Sequence, residues 1–309
     1  MEDKEKLLII DSNALLHRAF HALPPLTTKK GEQTGAIYGF LLTLFKAIKD
    51  LNPDYIVACF DTGAPTFRHQ KFEEYKAKRP KTPEELKTQL PKTKEVLEAF
   101  GIPVFAKEGF EADDLIATIS TRAEKENKHV ETYILTGDLD TLQLVDENTK
   151  VYTLGKGIKD TVVYDEERVF SRFEISPRQM VDFKSLTGDP SDNIPGVMGV
   201  GKKTAADLLK KFKSLDNLYQ KIQENKADIK PRIKELLSKN KEQAFFARTL
   251  VEVKKDVDID FDIKKCRFGD FNQKKAEETL NRFEFHTLVN RLPALRPSLV
   301  KPTQKSLLN

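Results

Sequence analysis

The chain has 309 residues, 39% hydrophobic and 32% charged, with 52 Lys and Arg against 48 Asp and Glu and a net charge of +4. That length suffices for one large or two ordinary domains around a well-buried core. No apolar stretch approaches the roughly 20 residues needed to span a bilayer. Two cysteines, Cys59 and Cys266, make no disulfide framework. The N-terminus, Met1 to Lys6, is charged and runs straight into an apolar strand, unlike a signal peptide. The expectation is a cytoplasmic protein with no membrane partner.

Three apolar runs each end in an aspartate: Leu7–Asp11, Tyr55–Asp61 and Tyr133–Asp138. Such short runs, separated by helical patterns, read as strands of a parallel sheet. After Asp11, Ser12 or Asn13 is a candidate N-cap for a helix. Residues 35–51 form a second apolar helix ending before Asn52-Pro53. Residues 64–93 are polar and basic, with Phe67, Phe72 and Tyr75 interleaved and prolines at Pro80, Pro83 and Pro91. A stretch this long between core elements is commonly functional, and it reads as a partly helical excursion beyond the sheet edge. Residues 92–100 read as a helix closed by Gly101. A short strand over 102–105, a helix over 111–125 and a strand over 130–136 follow. Val151–Leu154 and Thr161–Tyr164 read as an antiparallel pair around Gly155-Lys156-Gly157. Beyond about residue 165 helices dominate, with a weak strand near 257–261. Prolines 293, 297 and 302 mark a tail or linker, either a natural end or the approach to another domain.

In open parallel sheets, ligands bind beyond the carboxyl ends of the strands, so Asp11, Asp61 and Asp138 would converge there. Like charges that close repel one another unless a cation sits between them. More acids follow the same pattern. Glu111, Asp113 and Asp114 open a helix, with Glu111 and Asp114 expected on one face and Asp113 turned aside. Acids at a helix N-terminus also complement its dipole, but three in four residues exceed that need. Asp138 and Asp140 form a D-x-D after a strand, and Asp189 and Asp192 lie in an Asp/Asn-rich turn. Without a His or Cys cluster, these nine carboxylates make an all-oxygen set that suits Mg²⁺ or Mn²⁺ rather than Zn²⁺. Their number suits two divalent ions about 4 Å apart clamping a phosphodiester. Setting the nine aside leaves 39 acidic residues against 52 basic ones. An acidic pocket in a basic body suits a polyanion approached through metal ions.

Residues 196–205, GVMGVGKKTA, read as a glycine turn opening a helix. Gly199 and Gly201 allow close backbone approach, and the helix amides with Lys202, Lys203 and Thr204 suit phosphate oxygens. The spacing matches neither G-x-G-x-x-G nor G-x-x-x-x-G-K-[ST], which argues against a nucleotide loop.

Taken in order, the segments IIDS (9–12), ACFD (58–61), FR (67–68), EYKAKR (74–79), FEADD (110–114), LTGDLD (135–140), LTGDPSDNIPG (186–196) and the glycine hairpin resemble the 5′ nuclease (flap endonuclease) superfamily. Within it they resemble the bacterial 5′→3′ exonuclease domain that precedes DNA polymerase I. The resemblance spans about residues 6–290 and fills all nine acidic positions of the family pattern. It implies an α/β fold with a mostly parallel central sheet flanked by helices (SAF/PIN-like), a helical arch and an all-α helix-hairpin-helix region. The expected organisation is a catalytic core at 1–170 with the arch at about 64–93. A helical DNA-binding region at 171–292 follows, with its hairpin at about 194–212, and then a tail at 293–309.

The resemblance also implies roles. Lys76 and Arg79 contact the scissile phosphate, Tyr75 stacks on a base, and Arg68 and Lys78 join the DNA contacts. The backbone near Val197 and Val200 holds K⁺. The expected activity is metal-dependent 5′→3′ exonucleolytic and flap-endonucleolytic cleavage in replication and repair, including RNA primer processing. The partners are duplex DNA with 5′ flaps or ends and a fused or separate polymerase. Two rivals stay open at this stage, a non-catalytic DNA-junction binder and a D-x-D phosphatase of small esters.

Overall fold

In the computed structural model, residues 4–155 and 160–295 are described. The centre of the expected Gly155–Gly157 turn and residues 296–309 of the expected tail lie outside the described residues.

Strand β1 (Glu5–Asp11) leads into helix α1 (Ser12–Ala22), and α2 (Gly35–Leu51) returns to β2 (Tyr55–Cys59). The crossing segment contains only short helices, α3 (Phe67–Lys71) and α4 (Glu84–Lys87), before α5 (Gln89–Ala99). Then come β3 (Val104–Phe105), α6 (Ala112–Glu126), β4 (Val130–Thr136) and the antiparallel pair β5 (Thr149–Leu154) and β6 (Thr161–Tyr164). Helices α7 (Glu166–Phe173), α8 (Met180–Thr187), α9 (Lys202–Phe212), α10 (Leu215–Gln223), α11 (Pro231–Lys239), α12 (Lys241–Val251), α13 (Gln273–Arg282) and α14 (His286–Val289) complete the described chain.

The sheet order is β3-β2-β1-β4-β5-β6, parallel throughout except for the β5–β6 edge. Register brings the strand ends level: Asp11 pairs with Cys59, and Ile10 with Leu135. Asp11 therefore sits at the rim, while Asp61 and Asp138 lie two residues beyond their strands. The apolar runs are continuous because both sheet faces are covered. Leu7, Ile9, Val57 and Ile134 pack with Leu115, Ile116 and Ile119 of α6. Leu8, Ile10, Ile56 and Leu135 pack with Phe40 and Leu44 of α2 and Leu97 of α5. The first cluster runs on into Val197, Val200, Leu208 and Leu209, so one core joins the sheet to the hairpin helices.

Two details differ from expectation. Helix α5 starts at Gln89 rather than 92, because Pro91 is tolerated in a first turn where no amide partner is needed. Residues 257–261 form no strand. Arg122 takes the Val257 and Ile259 carbonyls (3.0 and 2.7 Å), and the Thr118 hydroxyl takes the Val257 amide (3.1 Å). The 64–93 segment lies over the carboxyl edge of the sheet, on the acids, as described below. No described helix is long and apolar enough to cross a membrane.

Candidate active site

Asp11 is fixed from two sides. One carboxylate oxygen caps α1 by accepting from the Ala14 amide (3.1 Å), and the other accepts from the Thr136 hydroxyl (2.6 Å). The same Thr136 oxygen accepts from the Asp138 amide (2.9 Å), and Asp138 accepts from the Asp140 amide (2.9 Å). One threonine thus ties the ends of β1 and β4 and aims the D-x-D loop. At the rim, the Ala112 amide donates to Asp61 (2.8 Å), and the Asp61 amide donates to Asn13 (3.2 Å). These contacts join the second strand to α6 and α1.

The acids press on one another. Burial first, then repulsion from Asp61 and Asp138, lifts the Asp11 carboxyl to about 7 against its two hydrogen bonds. Burial, then repulsion from Asp11, Asp138 and Asp140, holds Asp113 well above the usual carboxylate range. Asp140 rises to about 7 through burial and Asp138, with Lys184 pulling the other way. Loss of hydration also raises Asp61, opposed by the Ala112 hydrogen bond and Lys76. Asp11, Asp61, Asp113, Asp138 and Asp140 therefore share one electrostatic neighbourhood. Next to it, carboxylate oxygens of Asp140, Asp189 and Asp192 all lie within 4.8 Å of one another. The turn carrying the last two is closed by paired Asp189–Ile194 backbone hydrogen bonds (2.8 and 2.9 Å).

Glu111 and Asp114 share a face as expected, but Asp113, expected to turn aside, is the one among the other acids. Glu111 is the N-cap of α6 and Asp114 sits three residues on in a reciprocal capping box. Asp114 is 0% exposed. Its oxygens accept from both Arg68 terminal nitrogens (2.7 and 2.9 Å), the Glu111 amide (3.0 Å) and the Lys254 amide (2.8 Å). With each oxygen accepting two hydrogen bonds, Asp114 has nothing left for a metal. That contradicts the expectation that Asp114 ligates a metal.

Arg68 is also corrected. It is 2% exposed and donates to the Leu250 and Glu252 carbonyls (2.7 and 3.1 Å) as well as to Asp114. That locks the crossing segment to α6 and α12 and leaves no reach to DNA. Tyr75, expected to stack on a base, is 3% exposed. Its hydroxyl lies 3.0 Å from both Glu111 and Asp192, and His69 packs edge-on against its ring.

Lys76 and Arg79 do reach the acids. Lys76 Nζ donates to Glu111 (2.6 Å), its amide donates to the Asp192 carbonyl (2.9 Å), and Arg79 pairs with the Asp192 carboxylate. Burial alone would raise the Glu111 carboxyl, but Lys76 and Arg68 hold it below its ordinary value. Lys78 is exposed.

The glycine hairpin lies directly after the Asp189–Asp192 turn. A Cβ on Gly188 would come within 2.5 Å of the Gly196 amide nitrogen, and one on Gly196 within 2.2 Å of the Gly188 nitrogen. Two glycines let the chain cross itself there. Thr187, Val197, Gly199, Val200 and Gly201 line an open cleft, Lys202 and Lys203 are exposed at the start of α9, and Thr204 is half-buried. Val197 and Val200 are buried.

Sequence reasoning missed Thr136, Asn13 and Lys184. Thr136 was visible only as part of the loop motif, and Lys184 carries no local signal because its partners are 44 and 5 residues away.

Two family models together match residues 6–274. The 5′-3′ exonuclease N-terminal resolvase-like domain matches residues 6–174, and the 5′-3′ exonuclease C-terminal SAM fold matches residues 175–274. The chain belongs to the 5′-3′ exonuclease family. It is a nuclease, a phosphodiester hydrolase. DNA polymerase I of Bacillus subtilis (strain 168) is 40% identical over 292 residues, covering 94% of this chain and 33% of that protein. The thermostable DNA polymerase I of Thermus thermophilus is 38% identical over 295 residues, covering 95% of this chain and 34% of that protein. The exonuclease chain thus spans about a third of the length of these curated relatives. Its fold is similar to a solved T5 5′-exonuclease with bound zinc (TM-score 0.67, 20% identity, 92% of this chain and 98% of that one). It is also similar to the catalytic core of Rad2 in complex with DNA substrate (TM-score 0.62, 18% identity, 96% of this chain and 93% of that one).

Proposed function

We propose that this exonuclease chain is a structure-specific, divalent-metal-dependent 5′ nuclease that cleaves duplex DNA at 5′ flaps and ends. The convergence of Asp11, Asp61, Asp113, Asp138 and Asp140 beside the Asp140–Asp189–Asp192 triad carries this reading. The donor set fits Mg²⁺ or Mn²⁺. It is all carboxylate, and burial with the charges of their neighbours raises the proton affinity of Asp11, Asp113 and Asp140, a conflict that divalent charge relieves. Asp11, Asp113, Asp138 and Asp140 would hold one ion, and Asp140, Asp189 and Asp192 a second, with Asp61 and Glu111 at the rim. Divalent ions there supply Lewis-acid charge for water attack on phosphorus and for the leaving 3′-oxygen.

The chain's own residues do the rest. Lys76 and Arg79 sit where the scissile phosphate must pass to reach the acids, and their charges stabilise the negative charge that grows on it. Arg68 and Asp114 fix the segment that carries them. Lys202, Lys203 and Thr204, with the amides opening α9, hold the duplex backbone without reading its sequence. Gly199 and Gly201 permit the close approach, and Lys78 adds a contact from the crossing segment. K⁺ would be held by the backbone near Val197 and Val200, which line the cleft. The catalytic part divides from the DNA-holding helices near residue 170, in line with the two family models meeting at 174 and 175. The DNA polymerase I relatives support action beside a polymerase, including removal of RNA-primed 5′ ends.

A 5′-labelled flap substrate tests the reading. With Mg²⁺ or Mn²⁺ the protein releases a short labelled product, sized on a gel, and with chelator it releases none. Binding without product in every metal favours a junction binder. Turnover of a small chromogenic phosphate ester in place of the flap favours a phosphatase.

A further inference from the structure

Lys184 lies in the last turn of α8, five residues before Asp189. Its side chain is 18% exposed. Its ammonium donates to Asp189 (2.8 Å) and pairs with Asp140, so it bridges two of the three carboxylates whose oxygens cluster within 4.8 Å. The third, Asp192, is engaged from the opposite side by Arg79 and Tyr75. The two flanking cations differ in freedom. Arg79 is 44% exposed on the crossing segment, open to solvent on one side. Lys184 is anchored in a packed helix between Phe183 and Ser185, both buried, with its charge fixed among the acids.

We propose that Lys184 is a built-in competitor for the divalent cation at the Asp140–Asp189–Asp192 triad, holding the ligand turn together while keeping that ion weakly bound and exchangeable. This rests on the metal reading given above. A fixed ammonium between two carboxylates does part of a cation's work, since it offsets their repulsion and takes one lone pair from each. A divalent ion entering the triad must displace those hydrogen bonds and lie close to a like charge. Lys184 is thus a positioning residue that sets metal affinity, with no part in touching the substrate.

The sign of one measurement decides. Mn²⁺ binding to the DNA-free protein is followed by electron paramagnetic resonance and calorimetry for wild type, Lys184→Met and Lys184→Arg. Lys184→Met removes the competing charge at similar length, and the weaker of the two Mn²⁺ sites is expected to tighten by about ten- to a hundred-fold, the usual size of an effect from a ligand's partner. Lys184→Arg keeps the charge and stays near wild type. If Lys184 only props the ligand turn, the Met variant binds Mn²⁺ more weakly, and that result, or no change, overturns the proposal. A wild-type protein that binds no Mn²⁺ overturns the metal reading instead. Circular dichroism confirms folding, and Lys184→Gln gives the same test should the Met variant not fold.

Discussion

Arg68 grips Asp114 with both terminal nitrogens, 2.7 and 2.9 Å away, at the buried base of the acidic cluster. The pair joins the crossing segment to the first turn of α6, and the guanidinium also holds two carbonyls at the end of α12. Removing one partner leaves a buried charge uncompensated, which costs about 3–5 kcal/mol. Asp114→Ala is therefore expected to lower unfolding free energy by that order in urea titrations with chelator present, and Arg68→Ala to match it. An Asp114→Ala protein as stable as wild type that has lost Mn²⁺ binding would return Asp114 to the ligands.

Asp138 contrasts with it. It is half-buried, its amide is held by Thr136, and one of its oxygens accepts from Asp140. Its loss creates no stranded charge, so Asp138→Ala is expected to stay folded and to bind duplex DNA as wild type does. Losing several kcal/mol of metal-derived charge stabilisation slows cleavage by about a hundredfold or more. Single-turnover cleavage at saturating Mg²⁺, alongside fluorescence anisotropy, checks both halves. Wild-type rates would exclude Asp138 from the metal site.

Lys76 lies 2.6 Å from Glu111 and Arg79 pairs with Asp192, so both charges sit over the acids rather than along a duplex path. Lys76→Ala is expected to slow the chemical step by about a hundredfold, because fixed charge matters most where transition-state charge grows. Duplex affinity should change by no more than about threefold. Equal losses in rate and affinity would make Lys76 an ordinary phosphate contact.

At the hairpin, Lys202 and Lys203 project from the start of α9 into solvent. Each phosphate neutralised contributes about 0.9 to the slope of log affinity against log salt. The double variant Lys202→Ala/Lys203→Ala is expected to lower that slope by nearly two and to weaken all duplex sequences alike, without changing single-turnover cleavage at saturating protein. An unchanged slope would place the duplex elsewhere.

The parallel sheet and the carboxyl-edge acids were legible because they follow local rules: apolar runs of strand length, helical spacing between them, and a ligand edge fixed by parallel topology. Asp11, Asp61 and Asp138 came from those rules alone. What stayed hidden depends on partners far apart in the chain. Asp114 carries the same carboxylate as Asp113 one position away, and only Arg68, 46 residues earlier, separates a structural acid from a metal-facing one. Tyr75 reads as an exposed aromatic in a basic stretch until the segment folds onto Glu111 and Asp192. Lys184 looks like any helix-surface lysine until Asp140 is brought beside it.

The same crowding of acids fixes how stability should follow pH. Asp11 and Asp140 hold their protons to about pH 7 in the folded chain, and burial with the neighbouring acids holds Asp113 well above the ordinary value of 3.8. Between about pH 4 and pH 7 the folded state therefore binds more protons than the unfolded one, and stability falls as pH rises. Carboxyls held low, such as Asp189 at about 2 and Glu111, act only below this window, where their contribution is lost on acidification. His17, kept below its ordinary value chiefly by lost hydration, opposes the trend near pH 6, one group against three. In chelator, the melting temperature is thus expected to drop by several degrees from pH 5 to pH 7.5, since about 1 kcal/mol moves it by roughly 2–4 °C in chains of this order. With Mn²⁺ present the drop should vanish or reverse, because the ion takes the place of the protons and binds better as they leave. Scanning calorimetry at matched ionic strength measures both curves. A melting temperature that rises with pH in chelator, or curves that run parallel with and without Mn²⁺, would mean that these carboxylates do not share one cation site.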